Sequence, residues 1–160
     1  MDVPERYQIN DSRSIKEFSE KSFSGYLKKD VLAIFQKSII NYKIEDSCNW
    51  LVELIISGQS DKIWDKIFAI STKLININCP SLPNYLYSRY VTYHNIISEE
   101  NYQKNILMLR NNQIIRNHLT EIVVNLATMD KEKAINLTKI TKQDLYFNNI
   151  KGKLKAKDAK

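Results

Sequence analysis

Three glycines, two histidines and two cysteines are the residues from which this 160-residue chain could build a reactive centre, and their spacing assembles none. A phosphate-cradling loop needs clustered glycines whose backbone can approach the phosphate, followed by Lys and Ser or Thr for charge and metal. Gly25, Gly58 and Gly152 each stand alone, so both common nucleotide-binding patterns are missing. His94 and His118 have the chemistry of a general base or a metal ligand, but no second His lies at ligand spacing from either. His118, in the middle of a helical stretch, reads as a packed residue. Glu99 and Glu100 read as solvated charges rather than a paired acid and base, and no GxSxG elbow marks a nucleophile. Cys48 and Cys79 are too few for a disulfide framework and belong to no CxxC motif, which predicts reduced, partly buried thiols. We therefore expect no catalytic residue, no cofactor and no metal, and a protein that is not an enzyme.

Two groups of residues could instead bind. Tyr85, Tyr87, Tyr90 and Tyr93 beside Arg89 have the composition of a stacking platform for single-stranded nucleic acid. Helical spacing puts Tyr90 and Tyr93 on an inward face and leaves Tyr85, Tyr87 and Arg89 for an exposed surface or a subunit contact, where Tyr and Arg are enriched. The second group is the lysines. Residues 131–160 hold nine Lys against Glu132, Asp144 and Asp158, the whole net charge of +6, while residues 1–130 balance 15 basic against 15 acidic groups. Lys151, Lys153, Lys155 and Lys157 are the candidate nucleic-acid contacts, of a weak and non-specific kind, because charge on a solvated terminus attracts phosphate without reading sequence. An A/T-rich coding composition, which also supplies the abundant Ile and Asn, accounts for the same lysines.

The elements that would position these residues are helical. Hydrophobic content of 43% and charged content of 26% are those of a globular chain. Only three Gly and three Pro are present, which argues against a many-stranded sandwich or barrel. Three- and four-residue steps predict a helix over 25–42 with Leu27, Val31, Ile34, Phe35, Ser38 and Tyr42 inward. A second helix opens at Glu45 and Asp46, carries Cys48, Leu51, Val52 and Ile55 inward, and stops at Ser57-Gly58, with Gly58 free to take the left-handed conformation. Ser60 is the expected N-cap of a third helix bearing Ile63, Trp64, Ile67, Phe68, Ser71 and Leu74. Pro80 and Pro83 break the pattern, and a fourth helix from Pro83 places Leu82, Leu86, Tyr90, Tyr93 and Ile97 on one face. A short helix over Asn101–Arg110 and a last one capped by Asn111 or Asn112, with Ile115, Leu119, Ile122, Leu126 and Met129 inward, complete an all-α bundle of about six helices. The boundaries follow: 1–22 a flexible lead-in, 23–130 the helical domain, 131–160 a lysine-rich tail, in which Ala134–Ile140 reads as extended and Leu145–Phe147 as docking back. Met1–Arg6 lacks an apolar leader and no run approaches the roughly 18 residues that span a bilayer, so we expect an intracellular protein with no membrane contact.

Set in order, Gln36-Lys37-Ser38-Ile39, Trp50-Leu51, Glu53-Leu54, Ser57-Gly58, Ile63-Trp64, Ile67 and Pro80 resemble the C-terminal helical domain of the MgsA (replication-associated recombination protein A) family of clamp-loader-like AAA+ ATPases. The stretch Asn111–Leu119 and the lysine-bearing end are similar to short stand-alone versions in bacteriophages and large DNA viruses. The resemblance covers about residues 20–130. It implies a helical oligomerisation unit linked to viral DNA replication or repair, in the host cytoplasm or a viral factory, with Lys37, Ser38, Trp50, Gly58, Trp64 and Pro80 as core or interface positions. Ile40-Asn41 and Asp65-Lys66 replace the family's arginine pairs, and no ATPase module accompanies the helices, so its ATP-dependent role does not carry over. A homo-oligomer, with a viral replication or assembly protein as a further partner, is the leading expectation. A nucleic-acid-binding protein acting through the basic tail, or a virion structural component, is the alternative.

Overall fold

The structure, a computed structural model, describes residues 4–75 and 78–132. Those residues form five α-helices, α1 (Lys28–Ile40), α2 (Ile44–Ile56), α3 (Ser60–Ile70), α4 (Leu82–Glu99) and α5 (Gln113–Thr128), joined by 3-10 turns and one π turn. The all-α bundle anticipated from periodicity is what forms. The expectations for Ala134–Ile140, Leu145–Phe147 and the Lys151–Lys157 contacts lie outside the described residues. No described helix is long and apolar enough to cross a membrane.

α2 is the central helix, packed against α1, α5, α3 and the turn at Ile106–Asn111. Its Leu51, Leu54 and Ile55 join Val31, Phe35 and Ile39 of α1, Ile63 and Ile67 of α3, and Leu119, Ile122 and Leu126 of α5 in one core. Several inward assignments shift. α1 buries Val31, Phe35, Ser38 and Ile39, while Leu27, Ile34 and Tyr42 are exposed. α1 carries apolar residues around more than half its girth, and the line facing α2 decides which of them are covered. Val52 is likewise exposed, because α2 turns Leu51 and Leu54 inward. Gln59, not Ser60, is the N-cap of α3, and Ser60 is buried at its first position. After Ile70 the helix widens into the π turn Ser71–Ile75.

The predicted helix over Asn101–Arg110 is two 3-10 turns, Tyr102–Lys104 and Ile106–Asn111. Asn101, at φ 59°, ends α4 in the left-handed region that Asn tolerates. Asn105 is extended, and its side chain accepts from Leu107 N, which starts the second turn afresh. Asn112 caps α5 as expected, its Oδ1 accepting from Ile115 N at 3.0 Å.

The lead-in departs most from expectation, since residues 8–24 are laid against the end of α2. Phe18 is buried, and Arg13 lies over the rings of both Phe18 and Phe23. Glu53, itself buried, accepts from Ser24 N at 2.7 Å and from Ser24 Oγ at 2.9 Å. Ser57 Oγ accepts from Phe23 N at 2.8 Å, and the Asn111 side chain exchanges two hydrogen bonds with the backbone of Ile9. Polar residues make most of these attachments, which is why hydrophobic periodicity does not reveal them.

Asp11 holds Arg13 by a bidentate ion pair. The hydrogen bonds from the Arg13 side chain and backbone lower the Asp11 pKa from 3.8 to about 2. A carboxylate depressed in the folded state stabilises the fold above its unfolded value and loses that contribution as pH falls toward the folded one. Lead-in docking should therefore weaken between pH 4 and 2, a window set by those two values. Limited proteolysis across that range checks this, and Asp11→Asn should reduce the change in cleavage near residues 8–24 there.

Gly58 follows the end of α2 at φ +68°, as its placement after the helix predicts. A Cβ there would come 2.6 Å from Ile15 Cδ1 and 2.9 Å from Leu107 Cδ2. Left-handed strain of about 1–2 kcal/mol adds to that crowding. Gly58→Ala should destabilise the domain by about 2 kcal/mol in urea unfolding, within the range of overpacked sites.

Candidate interaction surface

α3 and α4 meet through an aromatic cluster. Trp64, buried, stacks on Phe68 at 5.6 Å between centroids, meets Tyr90 edge-on at 5.1 Å and packs against Tyr93 at 5.5 Å. Phe68 also meets Tyr90, and Tyr90 meets His94 at 4.3 Å. Burial of Tyr93 pushes its phenol up to about 12. The cluster is continuous from the core, through half-buried Tyr90, to the exposed Phe68 and His94.

A polar clamp ties α4 to α5. Arg89 pairs with Glu121, whose Oε1 also accepts from the Tyr85 hydroxyl at 3.2 Å, and Asn125 donates to that hydroxyl at 3.0 Å. The Arg89 guanidinium lies over the Tyr85 ring. His118 Nε2 donates to the carbonyl of Arg89 at 2.8 Å. His118 and Glu121 stand three apart on α5, a spacing that could serve a general base and its carboxylate, yet both are drawn separately to α4. The arrangement locks two helices together and leaves no free cation for a ligand. Tyr85 and Arg89 are accordingly half-buried clamp residues rather than parts of an open surface, whereas Tyr87 projects outward at 70% exposure.

What α4 leaves uncovered is unusual in composition. Leu82, Leu86, Tyr93 and Ile97 are its buried stripe. From Leu82 to Ser98 the only charged residue is Arg89, already paired. Its open side carries Tyr87, Val91, His94 and Asn95, with Phe68 of α3 beside Tyr90. Depletion of charge with enrichment of aromatics is the compositional mark of an interface centre. Sequence reading picked out only Tyr87 here; the missing charges of α4 were the signal for the rest.

The other expected positions do not converge. Trp64 belongs to the aromatic cluster, and Trp50 is half-buried on α2 with its ring edge against Tyr26. Lys37, exposed, and Ser38, buried, border a shallow groove with Ile34, Asn41, Lys43 and Asp46. Gly58 is packed beneath Ile15 and Leu107, and Pro80 is exposed in the loop before α4. No group of three His, Cys, Asp or Glu that could hold a metal occurs among the described residues.

No protein-family model, no curated protein and no solved structure matches the chain.

Proposed function

We propose that the chain is a non-enzymatic helical module that associates with itself, working in viral DNA replication or repair. The observation that carries the association is the open side of α4, where Tyr87 and Val91 are exposed beside Phe68 of α3 and no unpaired charge stands, the pairing of aromatics with charge depletion that marks an interface centre. The setting rests on the order of motifs over residues 20–130 that resembles the helical domain of the replication-associated ATPases. In this reading the module contributes assembly, and any chemistry belongs to the proteins it gathers.

A second reading is supported by charge: residues 131–160 hold the entire excess of +6, which favours contact with nucleic acid. Deleting residues 151–160 separates the two. Under the first reading the truncated protein keeps its oligomeric mass in sedimentation, because association depends on a neutral helix face. DNA binding by the intact chain should be weak, with a log–log salt slope of about −0.9 per phosphate neutralised. A truncated protein that folds but sediments as a monomer would move assembly to the tail. Tight DNA binding at about 150 mM salt that vanishes on truncation would put the nucleic-acid reading first.

A further inference from the structure

We infer, resting on the self-association just proposed, that the open face of α4 pairs with the same face of a second copy, the two helices running antiparallel about a two-fold axis at Val91. Asn84, Tyr87, Val91, Asn95 and Ser98 recur at three- and four-residue steps, so they form one stripe along the helix, and Tyr87, Val91 and Asn95 are exposed on it. Val91, 39% exposed, is the apolar centre of that stripe. An antiparallel pairing about Val91 sets Tyr87 of each copy against Asn95 of the other, an aromatic ring against an amide that can reach its hydroxyl. Phe68 and Tyr90 flank the seam and lengthen the apolar contact.

Charge selects the occupant. A two-fold contact places each patch on itself, so any net charge on the patch repels its own image. This stripe has none, and antiparallel helix dipoles add a favourable term. The other candidates fit poorly. The lysine-bearing residues 151–160 would meet no carboxylate on this stripe, whose Asn84, Tyr87, Val91, Asn95 and Ser98 are all uncharged. Nucleic acid would meet no free cation for the same reason.

Single cysteines placed in the full chain, with Cys48 and Cys79 replaced by Ala, read the geometry directly. At the interaxial distance of about 8–10 Å usual for packed helices, side chains on the axis come within disulfide reach. Val91→Cys should convert most of the protein to a covalent dimer on mild oxidation. Tyr87→Cys should cross-link when mixed with Asn95→Cys. Asn84→Cys, seven residues off the axis and so about 10 Å along the helix from it, should not cross-link with itself. If the parent sediments as an oligomer while Val91→Cys stays uncross-linked, the α4 pairing is wrong and self-association stands through another surface. Self-linked Asn84→Cys would mean parallel pairing and overturn the two-fold geometry. A parent that is monomeric at every concentration removes both the pairing and the function it rests on.

Discussion

Trp64→Ala should destabilise the domain by about 3–5 kcal/mol, as truncation of a fully packed aromatic does. The side chain is 3% exposed and touches Phe68, Tyr90 and Tyr93, so its removal opens a void that spans the α3–α4 contact. Because a domain this size is stable by only about 5–15 kcal/mol, the loss should lower Tm by roughly 10 °C. The indole Nε1 sharpens the test. It is buried with no hydrogen-bond partner among the described residues, and an unpaired buried donor is itself costly. Trp64→Phe removes that donor while keeping a ring, so it should cost less than half as much as Ala. Equal losses from the two variants would show that ring packing is not what Trp64 supplies.

Tyr87→Glu combined with Val91→Glu should weaken self-association by at least about 100-fold, equivalent to nearly 3 kcal/mol. Each carboxylate is set into a neutral seam, and in a two-fold contact each is opposed by its symmetry mate, so desolvation and repulsion act together. Both positions are exposed in the single chain, so the monomer's melting should change little, within the about 0.5 kcal/mol typical of surface substitutions. Lys29→Glu on the exposed side of α1 should leave association unaltered. Loss of assembly together with loss of fold would assign these residues to the core instead.

Helix existence was legible because five stretches keep apolar residues in step with the helical turn, and α2 stops at Gly58. Helix faces were less so. α1 and α2 offer more apolar residues than one face needs, and only their packing against each other decides that Ile34 and Val52 remain outside. The lead-in was hidden for a different reason. Its attachment uses Glu53, Ser57 and Asn111, polar residues that look solvated in a sequence and become anchors only when backbone amides from residues 9, 23 and 24 arrive. Asn105 could not be seen to split one helix into two turns, since the same residue tolerates a helix interior at modest cost. On α4 the inner stripe was read correctly in Leu86, Tyr93 and Ile97, but the outer one speaks through what is missing. Tyr85 and Arg89 looked like surface until Glu121 and Asn125 of α5 were placed opposite them.

Static light scattering of the full chain at about 150 mM salt, with and without added DNA, tests self-association most directly. A mass of at least twice the monomer, the same with and without DNA and lost in the Tyr87→Glu, Val91→Glu protein, is the predicted result. A monomer mass that rises only when DNA is added would contradict it.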